Sequence, residues 1–535
     1  MRDGVRLATD LYFPEGAGGK LPAIMIRTPY NRKVRTEVPR MFAGQGYVVA
    51  VQDVRGKFDS EGRFTVSAND TNDGSDMLDW IAAQAWSTGK IGTYGCSYLG
   101  EDQIELSKLR NPHHTAMIPQ AAGGAYRFAD LLEGGAVGLS EAAPWFLKWG
   151  SKIEPAPETP KVDLAQTFLT LPLVEMVKKA GAPRTDFEDF VSHAPGDPWW
   201  DRFGYVDKRH RFNTPALQVC SWYDSVVNET FLLAKLMQEN GESALARENQ
   251  FVVIAPTTHC AFDSATERTV VGKRELGDAQ FDYYNLYLRW YDRWLKGNDN
   301  AMRSVPKLQI YVMGLNQWRS ENEWPLARTR FTKYYLHSDG HANSREGDGV
   351  LSAEAPRDEA SDQFRYDPKN PVPTVGEGAQ DQSELERRAD VLVYSTPTLN
   401  AGVELTGTME LVLFVGSSAR DTDFTAKLVD VYPNGTAFNL QDGVLRARYR
   451  EGFNKKVWMK PGEVYPLKID LHATSNYFPA GHRIRLEVSS SNFPRFDRNL
   501  NTGGNNYDES EAVVATNAVC HSRARASYIV LPVIH

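Results

Sequence analysis

Apolar residues fall along this chain in two textures. In the first, short runs that are apolar almost throughout alternate with stretches where apolar residues recur every three or four positions. Leu21 to Arg27, Tyr47 to Asp53, Ile91 to Tyr94, Thr214 to Cys220 and Gln250 to Ala255 are such runs, and a strand covered on both faces reads this way. Val5 to Phe13 predicts a further strand. Between the runs, Met77, Trp80 and Ile81 share one face of a predicted helix, and Met41 to Gly46 reads as a helix end. Tyr98 to about Leu109 predicts another helix, and Phe281 to Leu295 a long aromatic-rich one. Strand–helix–strand alternation implies a mostly parallel sheet with helices on both faces, an α/β fold.

The second texture starts near Ser304. Leu467 to Leu471 and Arg483 to Val488 alternate apolar and polar residues, and turn clusters at Pro433-Asn-Gly435 and Pro461-Gly462 separate such segments. That pattern predicts an all-β sandwich. From about Gly124 to Trp200 neither texture holds. This segment has helical patches, many prolines and the rings of Phe128, Trp145, Phe146, Trp149, Phe168, Phe187, Trp199 and Trp200. It reads as a helical subdomain with its own core, and as a cap whose remaining rings face a pocket.

Length and charge narrow the picture. At 535 residues the chain is too long for one core. A net charge of −8 offers no basic field for nucleic acid, and no apolar run is long enough for a transmembrane helix. Four cysteines do not make a disulfide scaffold, and no Cys-x-x-Cys or His-Glu-x-x-His spacing suggests zinc. Met1 to Leu7 is no signal peptide. A cytoplasmic location is the expectation, although the chain begins so abruptly against its first strand that an upstream segment is also compatible. Two acidic loops invite a metal reading, Asp53, Asp59 and Glu61 in one and Asn69 to Gly74 in the other. Neither spacing fits a calcium loop. The first reads as a structural loop and the second as the cap of the Met77 helix.

Candidate chemistry concentrates at Gly95-Cys-Ser-Tyr-Leu-Gly100. A strand that feeds a helix through one residue leaves that residue strained and its side chain exposed, and flanking glycines allow the close approach. Ser97 is therefore the candidate nucleophile. Two later strands each end on a titratable side chain, Asp224 and His259. Serine needs an imidazole to take its proton, and the imidazole needs a carboxylate to fix its tautomer. Of eleven histidines, only His259 follows a strongly apolar strand downstream of a strand-terminal aspartate.

These residues resemble the family of cocaine esterase, X-prolyl dipeptidyl-peptidase and α-amino-acid ester hydrolase. Met1 to Leu7, Gln52-Asp-Val-Arg-Gly56, Ser60-Glu-Gly62, Trp222-Tyr-Asp224, Asp421-Thr-Asp-Phe-Thr-Ala-Lys427 and Ser490-Ser-Asn-Phe-Pro494 extend the likeness over nearly the whole chain. The resemblance implies an α/β-hydrolase domain over residues 1–124 and 206–328, a helical cap over 125–205 and a jelly roll over 329–535. It implies that the Tyr30 hydroxyl and the Tyr98 N–H bind the oxyanion and that Trp145 lines the substrate pocket; Asp130, which stands where the family leads one to expect another aromatic ring, and Val226 are read as further pocket residues. It implies no cofactor and no metal. The partner is then a small-molecule ester or amide, with no nucleic acid and no membrane, and self-association is left open. Ser225-Val-Val-Asn228 replaces the Glu-Asp pair that follows the catalytic aspartate in the amino-acid ester hydrolases. Amino-acid ester hydrolysis, β-lactam side-chain acylation and X-prolyl peptidase activity remain alternatives to simple ester hydrolysis. An inert protein with a sugar-binding sandwich is the alternative from another class.

Overall fold

The near-continuous apolar runs assemble into one nine-stranded sheet. In the computed structural model, which describes residues 1–16, 18–124 and 132–535, its strands are β1 (Thr9–Tyr12), β2 (Leu21–Thr28), β3 (Val48–Asp53), β4 (Ser87–Cys96), β5 (His114–Gln120), β6 (Ala216–Tyr223), β7 (Gln250–Thr258), β8 (Leu308–Val312) and β9 (Gln317–Glu321). The order across the sheet is β1-β3-β2-β4-β5-β6-β7-β8-β9. Strands β2 to β8 are parallel and the two edge strands antiparallel. All parallel strands therefore end on the same side, where α/β sheets hold their ligands.

The longer helices are α1 (Glu37–Ala43), α2 (Asp70–Ala82), α3 (Tyr98–Ser107), α4 (Leu139–Trp149), α5 (Val227–Asn240) and α6 (Tyr283–Trp294). Side-chain alternation along β2 shows how both faces are covered. Ile24 and Ile26 pack with Phe42 of α1 and Trp290 of α6, while Ala23 and Met25 pack with Met77, Leu78 and Ile81 of α2. Trp80 does not belong to that face: it is 44% exposed, and Leu78 fills the place. Asn69 stands at the N-cap of α2 but makes no capping bond. The acidic run serves buried ion pairs instead. Arg27 bonds Asp70 and, at 2.7 Å, Asp102, and Arg55 bonds Asp73. Asp53 and Asp59 bind Arg32, and Glu61 binds Arg6, so that loop is structural. Among the described residues, no cluster of three or more His, Cys, Asp or Glu is placed to hold a metal ion. Among them, too, no helix is long and apolar enough to cross a membrane.

Residues near 304 do not mark the switch of architecture. β8 and β9 lie beyond Ser304 yet complete the first sheet, β8 pairing parallel to β7. A jelly roll of eleven strands follows, from Thr329–His337 to Tyr528–Ile534, with a core that includes Leu405, Leu413, Leu428, Leu467 and Leu486. The helical segment between β5 and β6 has its own core of Phe146, Phe168, Phe187, Phe190 and Trp200, into which the jelly roll inserts Phe493. Phe128 lies outside the described residues.

Candidate active site

The corner between β4 and α3 is built as tightly as its glycines suggest. Ser97 has φ 63° and ψ −128°, a conformation that side chains other than glycine rarely adopt. A Cβ on Gly95 would meet Leu99 Cβ at 2.4 Å, and one on Gly100 would meet the Gln120 carbonyl at 2.6 Å. Only glycine permits this contact at both places. Ser97 N–H donates to that same Gln120 carbonyl at 2.9 Å, which anchors the corner to β5. Tyr98 opens α3, and the first N–H of a helix has no acceptor within it.

Asp224 and His259 reach the site from the ends of β6 and β7. The Asp224 side chain is fully buried, accepts the Val226 N–H at 3.1 Å on Oδ1 and bonds His259 Nδ1 at 3.0 Å through Oδ2. One carboxylate oxygen is thus fixed by the backbone and the other orients the ring. Beside these residues lies a bridge that composition alone did not suggest. Cys96, just before Ser97, forms a disulfide with Cys260, just after His259, with 6.0 Å between their Cα atoms. The remaining cysteines, Cys220 and Cys520, are free and buried. The signal was available: each bridged cysteine abuts a candidate catalytic residue.

Tyr30 sits two residues past β2. Its hydroxyl accepts the Trp145 Nε1–H at 3.0 Å, and its ring meets Trp149 edge-on at 5.0 Å. Burial pushes the phenol up to about 12, against the pull of the Trp145 N–H and of the neighbouring Ser97 side chain. It remains a protonated donor at neutral pH, with one lone pair already taken. The Tyr98 ring stacks on Trp145 at 6.2 Å, and its hydroxyl donates to Asp70 and accepts the Ser67 N–H. The residue after Ser97 is thereby rooted in the Arg27 ion-pair cluster.

Ser97, Tyr30, Tyr98, Trp145, Asp224, Val226 and His259 all line one cavity of about 1180 Å³. Asp130 lies outside the described residues. Trp145 and Trp149 face this cavity while Phe187 and Trp200 stay in the cap's core, so the segment is both a core and a wall. The jelly roll supplies another wall with Glu377, Lys427 and Arg495. Glu141 of α4 joins three parts of the chain. It accepts Ser225 Oγ at 3.0 Å and Arg495 Nη1 at 3.2 Å, while Arg495 Nε bonds Asp442 at 2.8 Å. Sequence reading found neither this link nor the Tyr30–Trp145 bond, because each joins residues that no local pattern relates.

Known proteins resemble this chain along its length. Residues 3–261 match the X-Pro dipeptidyl-peptidase (S15) family, and residues 300–530 match the C-terminal non-catalytic domain of X-Pro dipeptidyl-peptidase. A cocaine esterase from a Rhodococcus species is 36% identical over all of this chain and 97% of its own. A putative serine esterase of Mycobacterium bovis is 26% identical over all of this chain and 94% of its own. Among solved structures, an aminopeptidase from a marine-sediment Thaumarchaeota archaeon superposes with a TM-score of 0.87 at 24% identity, covering all of this chain and 95% of that one. An α-amino acid ester hydrolase superposes at 0.85 and 23% identity, with the same coverage, and both likenesses concern the fold. With a cocaine esterase matched end to end and both halves of the chain matched to X-Pro dipeptidyl-peptidase models, this protein belongs to the CocE/NonD family of α/β-hydrolases.

Proposed function

We propose that this protein hydrolyses carboxylic esters through an acyl-enzyme on Ser97. The observation that carries the reading is the convergence of three strand ends: a strained serine corner after β4, and an oriented Asp224–His259 pair from β6 and β7. The cocaine esterase and serine esterase relatives support ester chemistry.

In this mechanism His259 takes the Ser97 hydroxyl proton as the oxygen attacks the ester carbonyl. Asp224, bonded to Nδ1, leaves the other ring nitrogen as the base and stabilises the imidazolium that forms. Charge develops on the carbonyl oxygen, where the Tyr30 hydroxyl and the Tyr98 N–H donate. The proton then passes from His259 to the leaving alkoxide, and water repeats the sequence to free the acid. Trp145 does two things here. It occupies one side of the Tyr30 oxygen, so that the phenol proton points elsewhere, and it offers an apolar wall to the acyl group.

Turnover of a panel of p-nitrophenyl and amino-acid esters by wild type and Ser97→Ala tests the reading. Ester turnover that falls about 10⁴-fold or more in the folded variant is expected. A variant that keeps a tenth of wild-type activity contradicts it.

A further inference from the structure

We propose that the Cys96–Cys260 disulfide is a positioning clamp for the catalytic pair, and that thiol reduction of this bond slows turnover. The inference rests on the triad reading above. Across the sheet, β4 and β7 are separated by β5 and β6. Three inter-strand steps of about 4.8 Å set those strands about 14 Å apart. Yet Cys96, the last residue of β4, and Cys260, two residues past β7, lie 6.0 Å apart at Cα. The chain after β7 therefore folds back over the ends of β5 and β6 to bring His259 to Ser97.

Sheet hydrogen bonds do not enforce that return. Beyond Thr258 the backbone turns at once, with Cys260 at φ 53° and the Ala261 N–H bonded to the Thr258 carbonyl at 3.1 Å. The Asp224 bond sets the orientation of the His259 ring, whose side chain remains 44% exposed. It connects the ring to β6 and leaves the separation from Ser97 to other constraints. The disulfide supplies one directly, since it is bonded within a residue of both partners. General-base catalysis depends steeply on that separation, and a shift of about 1 Å can cost about 100-fold.

Both cysteines also line the catalytic cavity, so the bond is open to any thiol small enough to enter. Reduction is ordinary exchange. A dithiol's thiolate attacks one sulfur and releases the other cysteine thiolate. The second thiolate then resolves the mixed disulfide, leaving two protonated cysteines and the cyclic disulfide of the reductant. Two electrons and two protons come from the dithiol.

The test uses the full-length protein and dithiothreitol. Thiol titration after denaturation should find two thiols in the untreated protein, Cys220 and Cys520, and four after treatment. With the four-thiol form still folded by its melting curve, kcat for a p-nitrophenyl ester and the rate of fluorophosphonate labelling at Ser97 should both fall about 10- to 100-fold, with little change in KM. Re-oxidation with glutathione disulfide should restore them. The double variant Cys96→Ala/Cys260→Ala should show the reduced rates and ignore dithiothreitol. Four thiols in the untreated protein, or a folded four-thiol form with wild-type kcat, overturns the clamp. So does a loss of activity that merely follows unfolding. If Ser97→Ala is inactive while reduction is silent, the clamp alone fails. If Ser97→Ala is active, the triad reading fails and takes the clamp with it.

Discussion

Removing one hydroxyl group, by Tyr30→Phe, tests the oxyanion site with the least disturbance. The ring that meets Trp149 at 5.0 Å remains; what disappears is the proposed donor to the carbonyl oxygen and an acceptor for the Trp145 N–H. A donor that acts mainly in the transition state typically contributes about 10²–10³-fold in kcat, about 2.7–4 kcal/mol, and the Tyr98 N–H remains to support the residual rate. The Trp145 N–H left without its acceptor costs stability by about 1–3 kcal/mol, a small enough loss for the fold to persist. The phenol's protonation adds a second readout. Held at about 12 by burial, it ionises by about one part in 10⁴ at pH 8 and one in 100 at pH 10, whereas an ordinary tyrosine near 10 would be half ionised at pH 10. The donor is therefore intact throughout that range, and wild-type kcat on a base-stable ester should stay level from pH 8 to 10. Steady-state kinetics with a calorimetric melt of the same samples makes the measurement. A Tyr30→Phe enzyme whose KM rises while kcat holds would make Tyr30 a packing residue. A twofold decline in wild-type kcat by pH 10 would refute the buried, protonated donor.

Other changes probe the frame around the site. Gly100→Ala drives a Cβ to 2.6 Å from the Gln120 carbonyl, so the corner has to open. Activity should collapse, with a destabilisation of about 1–3 kcal/mol seen in denaturant melts. Asp224→Asn can still accept the Val226 N–H but cannot hold the productive His259 tautomer; kcat should fall about 10⁴-fold with KM nearly unchanged. Arg27→Met strands Asp70 and Asp102 in a buried site and should cost about 3–5 kcal/mol in urea unfolding.

How much of this was legible in the sequence depends on whether a feature is carried by neighbours along the chain. Ser97, Asp224 and His259 could be picked out because each closes an apolar strand, and parallel strands put their ends on one edge whatever their order. The alternation of Ala23, Ile24, Met25 and Ile26 likewise predicts a strand covered on both sides. Trp80 misled because its size suggests burial, whereas the stripe of α2 that meets the sheet runs through Met77, Leu78 and Ile81. β8 and β9 lie past the change of texture near Ser304, and their pairing with β7 makes them part of the first sheet. The acidic run at Asn69 to Gly74 looked like a cap because its partners, Arg27 and Arg55, are far away in sequence. The disulfide spans 164 residues, a separation at which pairing is a property of the folded sheet alone.

In the proposed mechanism Ser97 carries the acyl group. Mixing the protein with a slowly deacylating p-nitrophenyl ester, quenching in acid at the end of the burst and sequencing the peptides by mass spectrometry tests it directly. One acyl adduct per chain is expected, on the Ser97 hydroxyl, absent in Ser97→Ala and far slower to form in a His259→Ala protein. A burst whose acyl group maps to another residue, or that survives in Ser97→Ala, would contradict it.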